Sequence, residues 1–182
     1  MKFIKTGIQG IVTMEPVVFG DTRGYFLETF NLQEFENNIG PIKFVQDNES
    51  RSSKGVLRGL HFQKPPFEQS KLVRCIEGRV LDVVVDIRKG SPTYGEHISV
   101  ELSGENKKQL FVPRGFAHGF SVLSETALFA YKVDNSYAPE FDAGILWNDS
   151  ELDIHWGMNE SEALVSAKDA VLPLFKELES PF

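Results

Sequence analysis

Short stretches of alternating apolar and polar residues run along most of the chain. His97 to Ser103 alternates cleanly, with Ile98, Val100 and Leu102 on one face and His97, Ser99, Glu101 and Ser103 on the other. Val80 to Ile87 sets Leu81, Val83, Val85 and Ile87 against Asp82, Val84 and Asp86. Thr126 to Val133 brings Ala127, Phe129, Tyr131 and Val133 to one side. Lys71 to Glu77, Gln109 to Val112 and His118 to Leu123 read as further strands. Turn signals separate them, at Glu77-Gly78, Lys89 to Pro92, Ser103 to Asn106 and Pro113-Arg114-Gly115. Strands this short at this spacing predict a sandwich or barrel.

Helical periodicity is confined to two places. Asn31 is placed to cap a helix with Glu34 three residues on, Leu32, Phe35 and Ile39 form its apolar stripe, and Gly40-Pro41 ends it. A weaker helix is predicted near Pro173, carrying Leu174, Phe175 and Leu178. No repeat, low-complexity tract or linker interrupts the pattern, so residues 1–182 are expected to form one domain.

Composition narrows the function classes. The 41% of apolar residues suits a buried core, and fifteen Phe favour half-buried strands. A net charge of -7 argues against nonspecific nucleic-acid binding, which makes any local convergence of Arg and Lys informative. Cys75 stands alone, which leaves no intramolecular disulfide and no cysteine-based zinc site. With neither a leader nor a long apolar run, no membrane association is expected, and a cytoplasmic setting is.

Pro113-Arg114-Gly115-Phe116-Ala117-His118 fits the Pro-x-Gly-x-x-His turn of cupin barrels, which are small jelly rolls. Proline fixes φ and glycine permits the reversal, so the histidine opens a strand directed into the barrel mouth. Where metal cupins carry His-x-His, this chain reads His61-Phe62-Gln63. A neutral amide is a poor ligand for zinc or iron, so His61 and His118 are expected to do acid–base work without metal or cofactor. The fold class predicted is all-β, a cupin-like jelly-roll barrel with a few short peripheral helices.

Several polar blocks carry a more specific resemblance. They are Asp21 to Glu28, Gln46-Asp47-Asn48, Arg58 to Gln63, Pro113 to Phe120, Tyr131-Lys132, Tyr137 to Glu140, Gly144 to Asp149, and Ser166 to Asp169. In this order, across nearly the whole chain, they closely resemble the dTDP-4-dehydrorhamnose 3,5-epimerase family of deoxysugar biosynthesis. The resemblance implies a nucleotide-linked 4-keto-6-deoxyhexose as substrate, whose ketone acidifies the hydrogens on carbons 3 and 5. His61 is then the base, Asp169 its orienting carboxylate, Lys71 the cation beside the enolate oxygen, and Tyr131 the acid on the opposite face of the ring.

Arg23 and Arg58 resemble diphosphate contacts, whose forked donors suit phosphate oxygens. Phe26, Glu28, Gln46, Asp47, Asn48, Gln63, His118 and Lys168 fall at substrate-contacting positions by the same resemblance. Asp142 is a weaker assignment: the family usually has Glu-Arg-Gly where this chain has Asp142-Ala143-Gly144. The family also pairs its barrels into homodimers, with the N-terminal region of one subunit helping to build its partner's site.

Strict alternation would send Arg58 and His61 to opposite faces of one strand, so an irregularity at Gly59 is predicted. Rival readings are an epimerase acting on carbon 3 or 5 alone, a ketoisomerase, a metal cupin enzyme, and a noncatalytic nucleotide-binding barrel.

Overall fold

The computed structural model describes residues 1–182. Its strands are β1 (Lys2–Lys5), β2 (Val12–Glu15), β3 (Val18–Asp21), β4 (Gly24–Leu27), β5 (Gln46–Ser53), β6 (Val56–Gln63) and β7 (Lys71–Glu77). They continue as β8 (Arg79–Asp86), β9 (His97–Ser103), β10 (Gln109–Val112), β11 (Phe116–Val122), β12 (Thr126–Val133), β13 (Asp142–Gly144) and β14 (Leu164–Val165). One sheet runs β1-β2-β10-β7-β12-β5, and the other β13-β6-β11-β8-β9, with β14 parallel to β6. Strands β3 and β4 form a separate ribbon. The fold is the all-β, cupin-like jelly roll expected from the pattern.

The inner faces of the two sheets meet in one core. Val73, Cys75, Leu110, Val112, Ala127 and Phe129 from the first sheet pack on Val80, Val84, Leu102, Phe116, Phe120 and Val122 from the second. Phe120 and Phe129 stack across the middle with ring centroids 4.2 Å apart.

The outer faces are covered too. Val83, Val85 and Ile87 lie under Ile145, Trp147, Leu152, Trp156 and Phe175 of the C-terminal segment. On the first sheet, Val12, Met14, Leu72 and Phe111 lie under Phe35 of α1 (Leu32–Asn38). This double cover explains why β10 and β11 are buried along their full length instead of alternating.

Helix α1 starts as predicted: the Asn31 side chain accepts the Glu34 N–H at 3.2 Å, and Phe35 is fully buried. The second predicted helix is only a 3₁₀ turn, Phe175–Glu177. Pro173 and Pro181 leave little room for regular helix, and Phe175 docks on Tyr94 instead. Strand β5 is the main element that patterning missed. Its residues Gln46 to Ser53 are all polar, yet it pairs with β12 along its full length as the edge of its sheet.

The predicted irregularity falls at Gly59. His118 pairs with His61, but Phe120 pairs with Arg58, so β6 spends three residues where β11 spends two. Gly59 has φ +127°, and a Cβ there would lie 2.5 Å from Gly119 Cα. The bulge brings Arg58 and His61 to the same side.

Candidate active site

A cavity of about 390 Å³ opens between the two sheets. Its apolar wall includes Val56, Phe120, Phe129 and Leu164; its polar wall is made by Arg58, His61, Lys71, His118, Tyr131, Lys168 and Asp169. Strand order decides who faces whom. His61 and His118 project from β6 and β11 of one sheet, while Lys71 and Tyr131 project from β7 and β12 of the other.

Asp169 arrives from the C-terminal segment. It is buried, and its Oδ1 lies 2.6 Å from His61 Nε2. Its other oxygen accepts the Gly59 N–H at 3.4 Å, and its own N–H donates to Ser166 Oγ at 3.1 Å. Burial pushes this carboxyl upward, but the bond and charge of His61 more than offset it and hold the carboxyl below its ordinary value. An ionised Asp169 accepts Nε2–H, which leaves the lone pair of His61 on Nδ1.

Lys71 is pulled down to about 8, chiefly by loss of water, while Asp82 and Asp142 act in the opposite direction. Burial raises the Tyr131 phenol above its usual value against the pull of Arg58, so it remains a donor at neutral pH. Arg58 is exposed and has no carboxylate partner; Ser52 Oγ accepts from its Nε and Nη2 at 3.4 and 3.3 Å.

The remaining sequence-selected residues divide. His118 lines the cavity, its Nε2 held by both oxygens of Asp82 at 2.9 and 3.0 Å. Asn48 is the ladder partner of Tyr131, so it shares that face with Gln46, whose amide donates to Asn48 Oδ1 at 2.7 Å. Asp47 points the other way and pairs with Lys132 at 2.8 Å. Lys168 reaches the cavity rim and is bonded to Asp142, which also accepts from the Tyr137 hydroxyl at 3.1 Å.

One assignment needs correcting. Gln63 is buried away from the cavity, with its amide consumed by backbone: Nε2 donates to Phe67 O and Ser136 O, and Oε1 accepts the Ala138 N–H. It ties two loops together. Arg23, Phe26 and Glu28 do not join the cavity of their own chain. They lie exposed on or just after the β3–β4 ribbon, where Arg23 pairs with neighbouring Asp21. Folding one copy of the chain does not bring this group to the barrel.

Sequence reasoning missed Asp82. The signal was present, since Asp82 is a carboxylate between valines on the face of β8 turned toward the core. His61 and His118 are ladder neighbours, but each ring is engaged by its own carboxylate. No group of three or more His, Cys, Asp or Glu side chains is arranged to hold a metal ion.

Comparison with known proteins decides the family. A family model described as dTDP-4-dehydrorhamnose 3,5-epimerase matches residues 5–177. The chain belongs to the dTDP-4-dehydrorhamnose 3,5-epimerase family. The family's member from Salmonella typhimurium is 54% identical over 178 residues, covering 97% of each chain. The crystal structure of the Elizabethkingia anophelis dTDP-4-dehydrorhamnose 3,5-epimerase superposes with a TM-score of 0.93 at 53% identity, again covering 97% of both chains. That of a Legionella pneumophila dTDP-6-deoxy-D-glucose-3,5-epimerase, in complex with dTDP-4-keto-L-rhamnose, gives 0.94 at 47% identity, covering 98% of this chain and 94% of that one. Epimerases of this family thus share both the barrel and the chain length.

Proposed function

We propose that this chain, as a single domain, epimerises carbons 3 and 5 of dTDP-4-dehydro-6-deoxy-D-glucose to give dTDP-4-dehydro-L-rhamnose, by proton transfer alone. The observation that carries the mechanism is the placement of His61 and Tyr131 on opposing sheets around one cavity. Inversion needs a proton taken from one face of the ring and returned to the other, and two opposed walls supply both partners. The identity with epimerases over nearly the full chain supports the substrate assignment.

His61 Nδ1 takes the proton on the carbon beside the ketone, and the C–H electron pair moves into an enolate with its charge on the carbon 4 oxygen. Asp169 holds the ring and stabilises the imidazolium that forms. The Lys71 ammonium neutralises the developing oxyanion. Tyr131 then donates its proton to the opposite face of the same carbon, and proton exchange with solvent restores both groups. Arg58 and Lys168 meet the diphosphate, and Gln46 and Asn48 the nucleoside.

The N-terminal ribbon completes the site of a second copy. Its exposed Arg23 and Phe26, which do not reach the cavity of their own chain, support a homodimer in which each ribbon closes the partner's cavity. The lone buried Cys75 fits a reducing, cytoplasmic setting.

The test is incubation with substrate in heavy water, with deuterium and product configuration read by NMR. His61→Ala abolishes deuterium uptake. Tyr131→Phe retains exchange better than inversion, since the base can return a proton to its own face. Equal loss of both in Tyr131→Phe rules out the two-sided assignment.

A further inference from the structure

The proposed reaction asks for an ammonium at a fixed point, yet no hydrogen bond or ion pair holds Lys71 Nζ in its own chain. Its position is therefore set by the backbone that launches it. Lys71 is the first residue of β7, and the ladders to both neighbouring strands stop on it, at Val112 of β10 and Val133 of β12. Strand ends are where pairing is lost first.

A short chain of contacts closes that end of the sheet. Asp134, the residue after β12, accepts the Ser70 N–H on Oδ1 at 2.6 Å and donates its own N–H to Ser70 O at 3.3 Å. Arg114, two residues beyond β10, donates from Nε and Nη2 to the other oxygen of Asp134, both at 3.1 Å. Its Nη1 reaches Glu68 Oε1, also at 3.1 Å. The guanidinium thus joins extensions of all three strands, and one link ends on the residue just before Lys71. The Pro113-Arg114-Gly115 turn that leads into β11 therefore also secures β7.

Exposed ion pairs are usually worth little, but this contact is not free in water. Ser70 and the Asp134 side chain are buried, and Glu68 Oε2 is buried without a partner. Arg114 is the one cation paired with either carboxylate.

We propose that Arg114 is a positioning residue for enolate stabilisation: through Asp134 and the Ser70 N–H it fixes the start of β7, and with it the point in the cavity that the Lys71 ammonium occupies. The proposal rests on the role given to Lys71 above and adds the group that keeps it in place. A displacement of about 1 Å at a reacting group costs on the order of 10²-fold in rate. Without the guanidinium, the Asp134 carboxylate loses its counter-charge and turns toward water. Ser70 is then released, and β7 frays from Lys71 inward.

Arg114→Gln tests this when made both in the parent and in Lys71→Met. In the parent, kcat and deuterium exchange should fall together by about ten-fold, with KM changed by less than about two-fold. In Lys71→Met the same substitution should change kcat by less than about two-fold, since the side chain it positions is gone. Equal fold losses in the two backgrounds overturn the proposal, as does folded Arg114→Gln with the parent kcat. If Arg114→Gln does not fold, amide exchange in the parent enzyme decides. A Ser70 N–H as slow as the ladder amides of β7 supports the proposal, and one as fast as unbonded loop amides overturns it. Full activity in Lys71→Met would defeat the reading of Lys71 and the proposal with it. A slow Lys71→Met that Arg114→Gln slows by about ten-fold more defeats the proposal alone.

Discussion

Lys71 is the residue where stability and the proposed chemistry pull in opposite directions. Its ammonium is held in a desolvated cavity, and its value falls from 10.5 to about 8. Between those values the unfolded chain binds a proton that the folded chain lacks, so Lys71's contribution to stability improves as pH rises through that window. Below pH 8 the folded state bears the full cost, up to about 3 kcal/mol before screening by cavity water. Lys71→Met should therefore raise stability at pH 7 by about 2 kcal/mol in denaturant titration, while kcat falls by about 10²–10³-fold. A variant that is both less stable and fully active would contradict the desolvation and the catalytic role together.

The bulge in β6 is the corresponding feature among the elements. Two requirements meet there: Arg58 and His61 must face one cavity, and the backbone must pass within contact distance of β11. Gly59 satisfies both, with φ +127° and Gly119 Cα where a side chain would begin. Gly59→Ala should cost about 3 kcal/mol, which is roughly 6–12 °C in Tm for a chain of this size. It should also depress kcat by displacing the His61–Asp169 pair, since Asp169 accepts the Gly59 N–H. Unchanged melting and turnover would mean that the bulge is incidental. The irregularity was legible in the sequence because two polar residues three apart cannot share a face of regular strand. Strand β5 was not legible: as an edge with polar residues along the whole of both faces, it lacks the alternation that marks a half-buried strand.

For the whole molecule, the exposed ribbon is the informative part. Phe19 is 63% and Phe26 69% exposed, with Val17, Val18 and Tyr25 also outside, an apolar cluster that a lone subunit leaves in water. If it closes the partner's site, a mixture of Arg23→Ala and His61→Ala subunits regains activity. Each mixed dimer then carries one site with both native groups, so an equimolar mixture reaches about a quarter of the parent rate. Mixtures no more active than their components would confine Arg23 to its own chain.

The sequence alone determined the strand-rich barrel, the cap and stripe of α1 and the bulge at Gly59, and it singled out the residues proposed for the chemistry, because these depend on local patterning and on residue types in fixed order. The tertiary structure decided what no spacing encodes. It set His61 and Tyr131 on opposing sheets, delivered Asp169 to His61 across 108 residues, and placed Asp82 behind His118. It also withdrew Gln63 into a backbone clasp and left Arg23 outside its own cavity. Register, layer packing and burial arise from contacts between distant segments, and these settle which polar groups share a desolvated space and which remain in water.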